Sequence, residues 1–459
     1  MLKLSAVMIA ALMASGSALA QGRPDLVEQA LRGGQAKFVA GELLVQFKAG
    51  TSAEAQASAV AFLRGSKKES VKNASQRRDG KGDLQLLSLP PGLLVAEAYR
   101  SMSQLAEVEY AEPNWIYQHQ ATSNDLYVTN GSLWGMASPS AQAGVAANAF
   151  GSGASTAWAA GKTDCSAVYV GIIDEGYMYT HEDLVSSAGK NPGEIAGNGI
   201  DDDGNGLIDD VYGWDFAGGN NTVFDGVGDD HGTHVAGTIA GAGGNGKGVA
   251  GICWKTKLLS AKFLGSTGGT TANAIKAVDY FTNLKTRAVN PVPIVATNNS
   301  WGGGGFSQAL ADAISRAQAA DILFIAAAGN SGTNNDTTPS YPSNYPSANI
   351  IAVASIMSTG ALSSFSQYGA TSVDIGAPGS AIWSTIPKSS KGKVISSYAS
   401  YNGTSMATPH VTGAAALYKA LNPAATGAQI KAAILGSATA TPSLAGKTLT
   451  GGRLNVSGF

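Results

Sequence analysis

Short apolar segments alternate with longer helical patterns through residues 168–435. The apolar segments have strand length and lie between Gly- and Asn-rich loops, which predicts strands over residues 169–173, 258–263, 294–297, 322–328 and 350–354. Helices are predicted over residues 271–286, 307–319, 405–421 and 427–435. Strands that alternate with helices favour a mostly parallel sheet covered on both faces, so this part is predicted to be an α/β domain.

Residues 21–121 differ in composition and are predicted to form a separate domain. They carry 23 charged side chains, whereas the next 338 residues carry 38. Strands are predicted over residues 42–47, 84–89 and 108–110, and helices over residues 53–63 and 94–105. The sequence therefore predicts a small α+β domain over residues 21–121 and an α/β domain over residues 122–459.

The N-terminal segment, residues 1–20, has the pattern of a signal peptide. Lys3 precedes an apolar run over residues 4–13, and the segment ends in Ala18-Leu19-Ala20, an A-x-A cleavage site. A membrane anchor is the alternative, but the run is shorter than the ~20 apolar residues that a bilayer core needs. We therefore expect secretion and no membrane partner.

The charge balance shows no basic surplus. Lys and Arg number 30 against 32 Asp and Glu, which gives a formal net charge of -2. Nucleic acids and anionic membranes attract surfaces rich in basic residues, so neither is expected as a partner.

Five histidines limit the search for a general base, and two lie in the tetrapeptide His231-Gly232-Thr233-His234. A pair of buried structural histidines is one interpretation of this segment. A zinc site is another, but zinc helices use the spacing H-E-x-x-H, which is absent here. The segment resembles the histidine motif of the subtilisin family of serine proteases.

Two further segments agree with this resemblance in the chain order Asp, His, Ser. One is an apolar strand that ends at Asp174, and the other is a turn that enters a helix at Ser405. The resemblance implies a subtilisin-like three-layer fold and a secreted, monomeric serine endopeptidase that acts on proteins and peptides. The resemblance also implies that Asp174 orients His231, that His231 acts as base and then acid, and that Ser405 attacks the carbonyl.

The same resemblance implies the substrate contacts. Residues 326–330 resemble the family's oxyanion segment, so Asn330 is the expected oxyanion donor. Residues 299–303 resemble the strand that pairs with an extended peptide, although a plain strand end is the alternative. The substrate-binding residues are then Ser300, Trp301, Gly302, Ala327, Ala328 and Gly329, with Ser340 at the pocket floor. No acid marks that floor, so a strict requirement for Lys or Arg is not expected.

An acidic segment, residues 174–230, predicts bound cations, because it holds 14 acids and a single base. Part of it follows the spacing of a calcium loop, with the candidate ligands Asp201, Asp203, Asn205, Asp209 and Asp210. Tyr212 replaces the closing Glu of such a loop, so Asp209 or Asp210 is expected to complete the shell. A solvated acidic loop is the alternative.

A second calcium site follows only from the family resemblance. Subtilisin-like enzymes bind calcium through an acid near the mature N-terminus, the acid of an H-x-D-L stretch and a loop after the histidine helix. The matching residues are Asp125, Asp183, Asn245, Lys247 and Val249, the last two through carbonyl oxygens. Structural calcium is therefore the expected cofactor.

Cys165 and Cys253 are the only cysteines, and a secreted chain permits them to pair. They precede two strands that are parallel neighbours in the subtilisin fold, at equal distances from Asp174 and Lys262. The resemblance predicts a disulfide, and two free thiols are the alternative.

The leading domain resembles a subtilisin propeptide at its two ends, residues 41–47 and 108–114. Such propeptides, with a ferredoxin-like α+β fold, assist folding, block the active-site cleft as intramolecular inhibitors and are then removed. We expect autocatalytic cleavage between Tyr117 and Asp125. A permanent binding domain is the alternative.

Glu175 departs from the family, which usually has Ser or Thr after the catalytic aspartate. Successive residues that leave a strand point in opposite directions, so its side chain is expected to face solvent. The alternative interpretation is a catalytically impaired protein that binds peptides. A weaker alternative is an esterase that acts on small acyl substrates. The other candidate bases, His181, His234 and His410, are interpreted as structural.

Overall fold

The computed structural model describes residues 23–33, 37–71, 80–119, 121–124, 132–141 and 145–459, with the backbone alone described over 117–119 and 121–124. The predicted signal peptide and Asp125 lie outside these ranges. A small N-terminal domain is followed by a larger α/β domain.

The N-terminal domain is an antiparallel sheet with helices. Its elements are α1 (Pro24–Gly33), β1 (Phe38–Phe47), α2 (Ala53–Phe62), β2 (Ser66–Ser70), β3 (Leu84–Ser88), α3 (Val95–Met102) and β4 (Val108–His119). The strand order is β4-β1-β3-β2, and every neighbouring pair is antiparallel. Leu43, Leu44 and Val45 are fully buried, so both faces of β1 are covered. The predicted small α+β domain is confirmed.

Strand β4 is longer than the predicted strand over residues 108–110. It leaves its own sheet and continues to His119, because its last residues pair with strands of the second domain. Local sequence pattern does not reveal such partners, since they lie far along the chain.

The α/β domain is built on a nine-stranded sheet of order β17-β18-β14-β13-β12-β10-β6-β8-β7. All its neighbouring pairs are parallel except β17 with β18, which confirms the predicted sheet. The elements in chain order are β5 (Ala121–Asn124), α4 (Ala154–Ala159), β6 (Tyr169–Asp174), β7 (Gly213–Asp215), α5 (Asp230–Ala240), β8 (Lys257–Lys262), β9 (Gly269–Thr270), α6 (Thr271–Thr286), β10 (Ile294–Asn299), β11 (Trp301–Gly302), α7 (Gln308–Ala319), β12 (Leu323–Ala327), β13 (Ile350–Ile356), β14 (Ile375–Pro378), β15 (Ile382–Ser390), β16 (Lys393–Gly403), α8 (Thr404–Leu421), α9 (Gly427–Gly436), β17 (Thr439–Ala440) and β18 (Gly452–Arg453).

Helices cover both faces of this sheet and give three layers. Helices α5, α8 and α9 share one core with Ile172, whereas α6 and α7 share the other core with Ile173. Neighbouring residues of one strand thus enter opposite cores, as a side-chain period of two requires. In the part of the chain that the structure describes, no helix is both long enough and apolar enough to cross a membrane.

The N-terminal domain docks on the first turns of α6 and α7. Glu112 accepts hydrogen bonds from the backbone N–H groups of Gln308 and, at 3.0 Å, Ala309. Asn114 Oδ1 accepts the backbone N–H of Ala272 at 3.0 Å. The first N–H groups of a helix have no acceptor within it, so these two side chains supply acceptors at both helix starts. Burial raises the pKa of Glu112 to about 8.

The carboxyl ends of the parallel strands share one edge of the sheet, where β6 ends at Asp174 and β10 at Asn299. In open α/β sheets, ligand sites form beyond this edge. A disulfide joins Cys165 and Cys253, which precede β6 and β8, and confirms the predicted pairing.

Candidate active site

Asp174 and His231 meet at the carboxyl edge of the sheet. Asp174 is the last residue of β6, and His231 lies in the first turn of α5. Both are buried, and His231 Nδ1 lies 2.8 Å from Asp174 Oδ1. The same oxygen accepts the backbone N–H of Glu175 at 2.8 Å, which orients the carboxylate. With Nδ1 donating to Asp174, the neutral imidazole carries its basic lone pair on Nε2.

The charges around His231 raise its pKa. Burial disfavours the imidazolium, but the attraction of Asp174 and its hydrogen bond outweigh burial and raise the pKa to about 9. Glu175 and Asp230 act in the same direction. These neighbours therefore favour the imidazolium that forms when His231 accepts a proton.

Ser405 lies in the first turn of α8, and its side chain is fully buried. Its hydroxyl donates to the carbonyl of Ser300 at 3.0 Å, and the Ser300 hydroxyl donates to the Ser405 carbonyl at 2.9 Å. Helix α8 packs against α5, which brings this turn to the same side of the sheet as His231. Ser405 is therefore held between the histidine helix and the segment that resembles a substrate-binding strand.

Asn330 follows β12 and contacts the start of α8. Its side-chain oxygen accepts the backbone N–H and the hydroxyl of Thr404, both at 2.9 Å. Because the amide is planar, this contact directs the Nδ2 amino group away from Thr404. The N–H of Ser405 is one of the first-turn groups that have no acceptor within the helix. The Asn330 amino group and the Ser405 N–H are thus two candidate oxyanion donors.

Residues 116–119 and 121–124 of the chain itself lie along this site as extended backbone. The first part pairs antiparallel with β9 and β11, where Trp301 lies opposite His119. The second part pairs antiparallel with β16, where Ala121 lies opposite Gly403. Because β16 runs directly into α8, the second pairing lies at the start of α8. The first pairing is at Trp301, whose neighbour Ser300 bonds to Ser405 of α8.

Trp301 offers only its backbone to a peptide. The side chain is fully buried and packs edge-on against Phe263 and Phe324. Gly302 pairs through its backbone with Gln118. This segment therefore has the form expected of a strand that binds an extended peptide.

The expected pocket residues Ala327, the last residue of β12, and Ala328 are both buried. Gly329 has a φ of 115°, and its N–H donates to the Thr404 hydroxyl at 3.2 Å. A Cβ built on Gly329 would lie 3.2 Å from Ser340 Oγ and would overlap the amide of Gln367. Ser340 and Gln367 therefore border the same space, and no sequence motif had singled out Gln367.

The expectation that Glu175 faces solvent is wrong. Its side chain is buried, and its carboxylate accepts the backbone N–H of His231 at 2.5 Å and of Gly232 at 3.4 Å. The chain turns at Gly176, whose φ is 98°, so the alternation of the strand does not continue. The N-terminus of α5 attracts the carboxylate inward.

Four of the five residues matched to the second calcium site lie together. The Asp183 carboxylate accepts Asn245 Nδ2 at 2.7 Å and the backbone N–H of Val249 at 2.9 Å. Asn245 Oδ1 accepts the backbone N–H of Lys247 at 2.8 Å. The fifth residue, Asp125, lies outside the described residues.

The four candidate aspartates of the acidic loop divide into two groups. Asp201 and Asp209 accept backbone N–H groups of the loop itself. Asp203 and Asp210 lie with Glu194, and their carboxylate oxygens are within 4.8 Å of one another. Glu194 was not a candidate because it lies outside the calcium-loop spacing.

The acidic segment also receives cations from outside it. Arg287 pairs with Asp203, and Lys262 pairs with Asp229 at 2.5 Å. Asn205 donates to Asp210 at 3.1 Å, and burial raises the pKa of Asp210 to about 7. Arg287 and Lys262 therefore offset part of the negative charge on which the prediction of bound cations depends.

The remaining histidines of the α/β domain are structural, as predicted. Each ring is buried and contacts a backbone carbonyl at 2.8 or 2.9 Å, namely Ser397 for His181, Ile382 for His234 and Met406 for His410. Burial lowers the pKa of His234 to about 3 and that of His410 to about 4.

Comparison with known families gives two matches. Residues 166–454 match the subtilase family, and residues 26–114 match the fervidolysin N-terminal prodomain. The extracellular protease of Xanthomonas campestris pv. campestris is 32% identical over 419 residues, which cover 87% of this chain and 69% of that protein. Subtilisin DY of Bacillus licheniformis is 36% identical over 274 residues, or 59% of this chain and 84% of that protein.

Two solved structures share the fold. Fervidolysin from Fervidobacterium pennivorans, a keratinolytic enzyme related to subtilisin, has a TM-score of 0.64 at 21% identity and covers 91% of this chain. The shared part spans 60% of fervidolysin. A protease from Pseudoalteromonas arctica has a TM-score of 0.53 at 29% identity, over 67% of this chain and 93% of that chain.

The fold, the site and the matches together define a serine endopeptidase preceded by a prodomain. The chain belongs to the subtilase family, whose members commonly bind structural calcium.

Proposed function

We propose that this protein is a secreted endopeptidase that hydrolyses peptide bonds through Asp174, His231 and Ser405 and matures by removing its own prodomain. The 2.8 Å contact between His231 Nδ1 and Asp174 Oδ1, beside the helix start that holds Ser405, carries the proposal. Secretion is supported by the signal-peptide pattern of residues 1–20 and by the extracellular protease among the relatives.

The proposed reaction begins with proton transfer from Ser405 to His231 Nε2. The Ser405 oxygen bonds to the peptide carbonyl carbon, and the carbonyl oxygen becomes an oxyanion held by Asn330 and the Ser405 N–H. His231 then gives its proton to the leaving nitrogen, the C–N bond breaks, and an acyl-enzyme remains. A water molecule repeats the sequence, so that Ser405 regains its proton and the acid product leaves. Asp174 stabilises the imidazolium throughout.

The strand pairings around residues 116–124 support autocatalytic maturation. The segment follows the path expected of a substrate. His119 pairs with Trp301 of β11, and Ala121 pairs with Gly403, the residue before α8. We therefore place the cleaved bond between His119 and Ala121, within the range 117–125 that the sequence suggested. The predicted domain boundary, between residues 121 and 122, lies within two residues of this cut.

The prodomain contacts support its role as an intramolecular inhibitor. Glu112 and Asn114 cap two helices of the enzyme, and Lys81 pairs with Asp312 of α7 at 2.5 Å. Peptide substrates need the same backbone edge at β11 that residues 118–119 occupy. The docked prodomain thereby excludes them.

Structural calcium is proposed at two places: the Asp183 loop, with Asn245, Lys247 and Val249, and the group of Glu194, Asp203 and Asp210. Excess chelator is expected to lower the melting temperature by about 5–10 °C, because loss of a ligand that binds only the native state removes about 3 kcal/mol at saturating calcium. Calorimetry with chelator alone and with calcium restored measures this shift.

The variants Asp183→Asn and Asp203→Asn separate the two sites. Each should lose part of the calcium-dependent shift, whereas the matched change Asp336→Asn, at a carboxylate bonded to Thr371 and Ser372, should keep all of it. An unchanged melting curve in excess chelator would show that calcium stabilises the protein at neither site.

Hydrolysis of casein beside a small ester tests the proposed activity. We expect both substrates to be cleaved, since the backbone edge at Trp301 and Gly302 binds extended peptides. Cleavage of the ester alone would support the esterase alternative. Cleavage of neither by the processed protein would support the impaired peptide-binding alternative and contradict the proposal.

A further inference from the structure

Glu175 is a buried carboxylate that the proposed reaction does not use. Its side chain is 3% exposed and lies next to the aspartate that holds His231. Its Oε1 accepts the backbone N–H of His231 at 2.5 Å and that of Gly232 at 3.4 Å. Both donors belong to the first turn of α5, whose N–H groups have no acceptor within the helix.

The residue that would normally cap this helix is occupied elsewhere. Asp229 stands at the N-cap position of α5, but it makes no side-chain capping bond. Its carboxylate instead pairs with Lys262 at 2.5 Å and accepts the backbone N–H of Asp225 at 2.6 Å. The Lys262 ammonium also donates to the backbone carbonyl of Glu175. Lys262 thus contacts both Asp229 and Glu175 and holds them close to each other.

We infer that Glu175 is a positioning residue for His231. It accepts the His231 backbone N–H as a cap on the first turn of α5, and its negative charge stabilises the imidazolium. This inference rests on the proposed function, since it assigns His231 the role of base. The carboxylate reaches the first turn of α5 from the turn after β6, and therefore joins the element that carries Asp174 to the one that carries His231. The raised pKa of His231 agrees with a contribution from this second carboxylate.

Charged and titratable groups act on His231 directly or through its neighbours. Asp174 and Glu175 at the end of β6 and Asp230 and His234 on α5 act on it directly. The groups next to these are Lys262 on β8 with Asp225 and Asp229, Tyr401 on β16, which bonds to Asp230, and His410 on α8, which interacts with His234. The hydrogen bonds of Glu175 Oε1 reach the backbone of His231, and those of Asp174 reach its ring. A change at Glu175 should therefore affect both the helix start and the charge balance.

The variant Glu175→Gln separates these two effects, because the amide oxygen can still accept the N–H of His231 while the charge is lost. Removing a negative charge disfavours the imidazolium, so the pKa of His231 falls. The acidic limb of kcat/KM against pH should move to lower pH by about one unit, with KM unchanged. Glu175→Asp keeps the charge on a shorter side chain. The acidic limb of its kcat/KM profile should therefore stay at the wild-type pH, while its melting temperature falls.

Asp321→Asn is the matched control, because Asp321 accepts the backbone N–H of Gly427 at 2.7 Å and so caps α9 from another element. This variant should have a lower melting temperature and an unchanged acidic limb of kcat/KM against pH. If Glu175→Gln also lowers stability without moving the limb, Glu175 is only a structural cap and the inference is overturned.

A second measurement covers a Glu175→Gln protein with too little activity to assay. The downfield Nδ1 proton resonance of His231 reports its titration directly, and its midpoint should fall by the same amount. An unshifted midpoint overturns the inference. If wild-type protein shows no hydrolysis that depends on Ser405, the proposed function fails instead, so the two failures are distinguishable.

Discussion

Replacing Ser405 by Ala is expected to abolish peptide hydrolysis and to leave the secreted precursor uncut. The hydroxyl is the nucleophile of the proposed reaction, and its removal in subtilisin itself lowers kcat on the order of 10⁶-fold. The same hydroxyl is expected to cut the chain between His119 and Ala121. Intact mass measurement should find the prodomain attached in the variant and a mature chain that starts at Gln120 or Ala121 in the wild type.

Ser155→Ala is the matched control for this substitution. Ser155 is another fully buried serine, and its hydroxyl bonds to Ser138 at 2.8 Å, remote in sequence from every candidate catalytic residue. This variant should be processed normally. Normal processing of Ser405→Ala, in the absence of added protease, would refute self-cleavage.

Replacing Asp174 by Asn is expected to lower kcat on the order of 10⁴-fold while KM changes little. The amide can donate to His231 Nδ1, which favours the tautomer that carries its proton on Nε2, and it no longer stabilises the imidazolium. Loss of the main attraction that raises the pKa of His231 should also move the acidic limb of the remaining activity to lower pH. Single-turnover kinetics across pH measure both effects.

Asp279→Asn provides the comparison for this variant. Asp279 is also buried and pairs with Arg316 through two hydrogen bonds, at 2.8 and 2.7 Å. Its loss should reduce stability but leave kcat near the wild-type value. A drop of less than tenfold in Asp174→Asn would show that Asp174 does not orient the base.

The sequence predicted the parts of the fold that depend on local pattern. Strand β6 is buried on both faces, so its residues form a continuous apolar run that ends at Asp174. Parallel strands end at one edge, which explains why motifs scattered along the chain converge there. Helix α8, which begins at Thr404, was also recognisable, because turn residues precede a long helical pattern.

Features that depend on distant partners could not be predicted in this way. Glu175 turns inward because the first turn of α5, more than 50 residues away, offers N–H donors to it. Strand β4 extends to His119 only because β11 supplies its partner. Arg287 offsets Asp203 from outside the acidic segment, so a count of charges within that segment misses part of its charge balance.

Covalent labelling of the processed wild-type protein with a serine-directed organophosphate tests the central claim most directly. Peptide mapping by mass spectrometry should place one phosphoryl group on Ser405 and show loss of casein hydrolysis in proportion to labelling. A fully folded protein that hydrolyses casein without reacting, or that carries the label on another residue, would contradict the account.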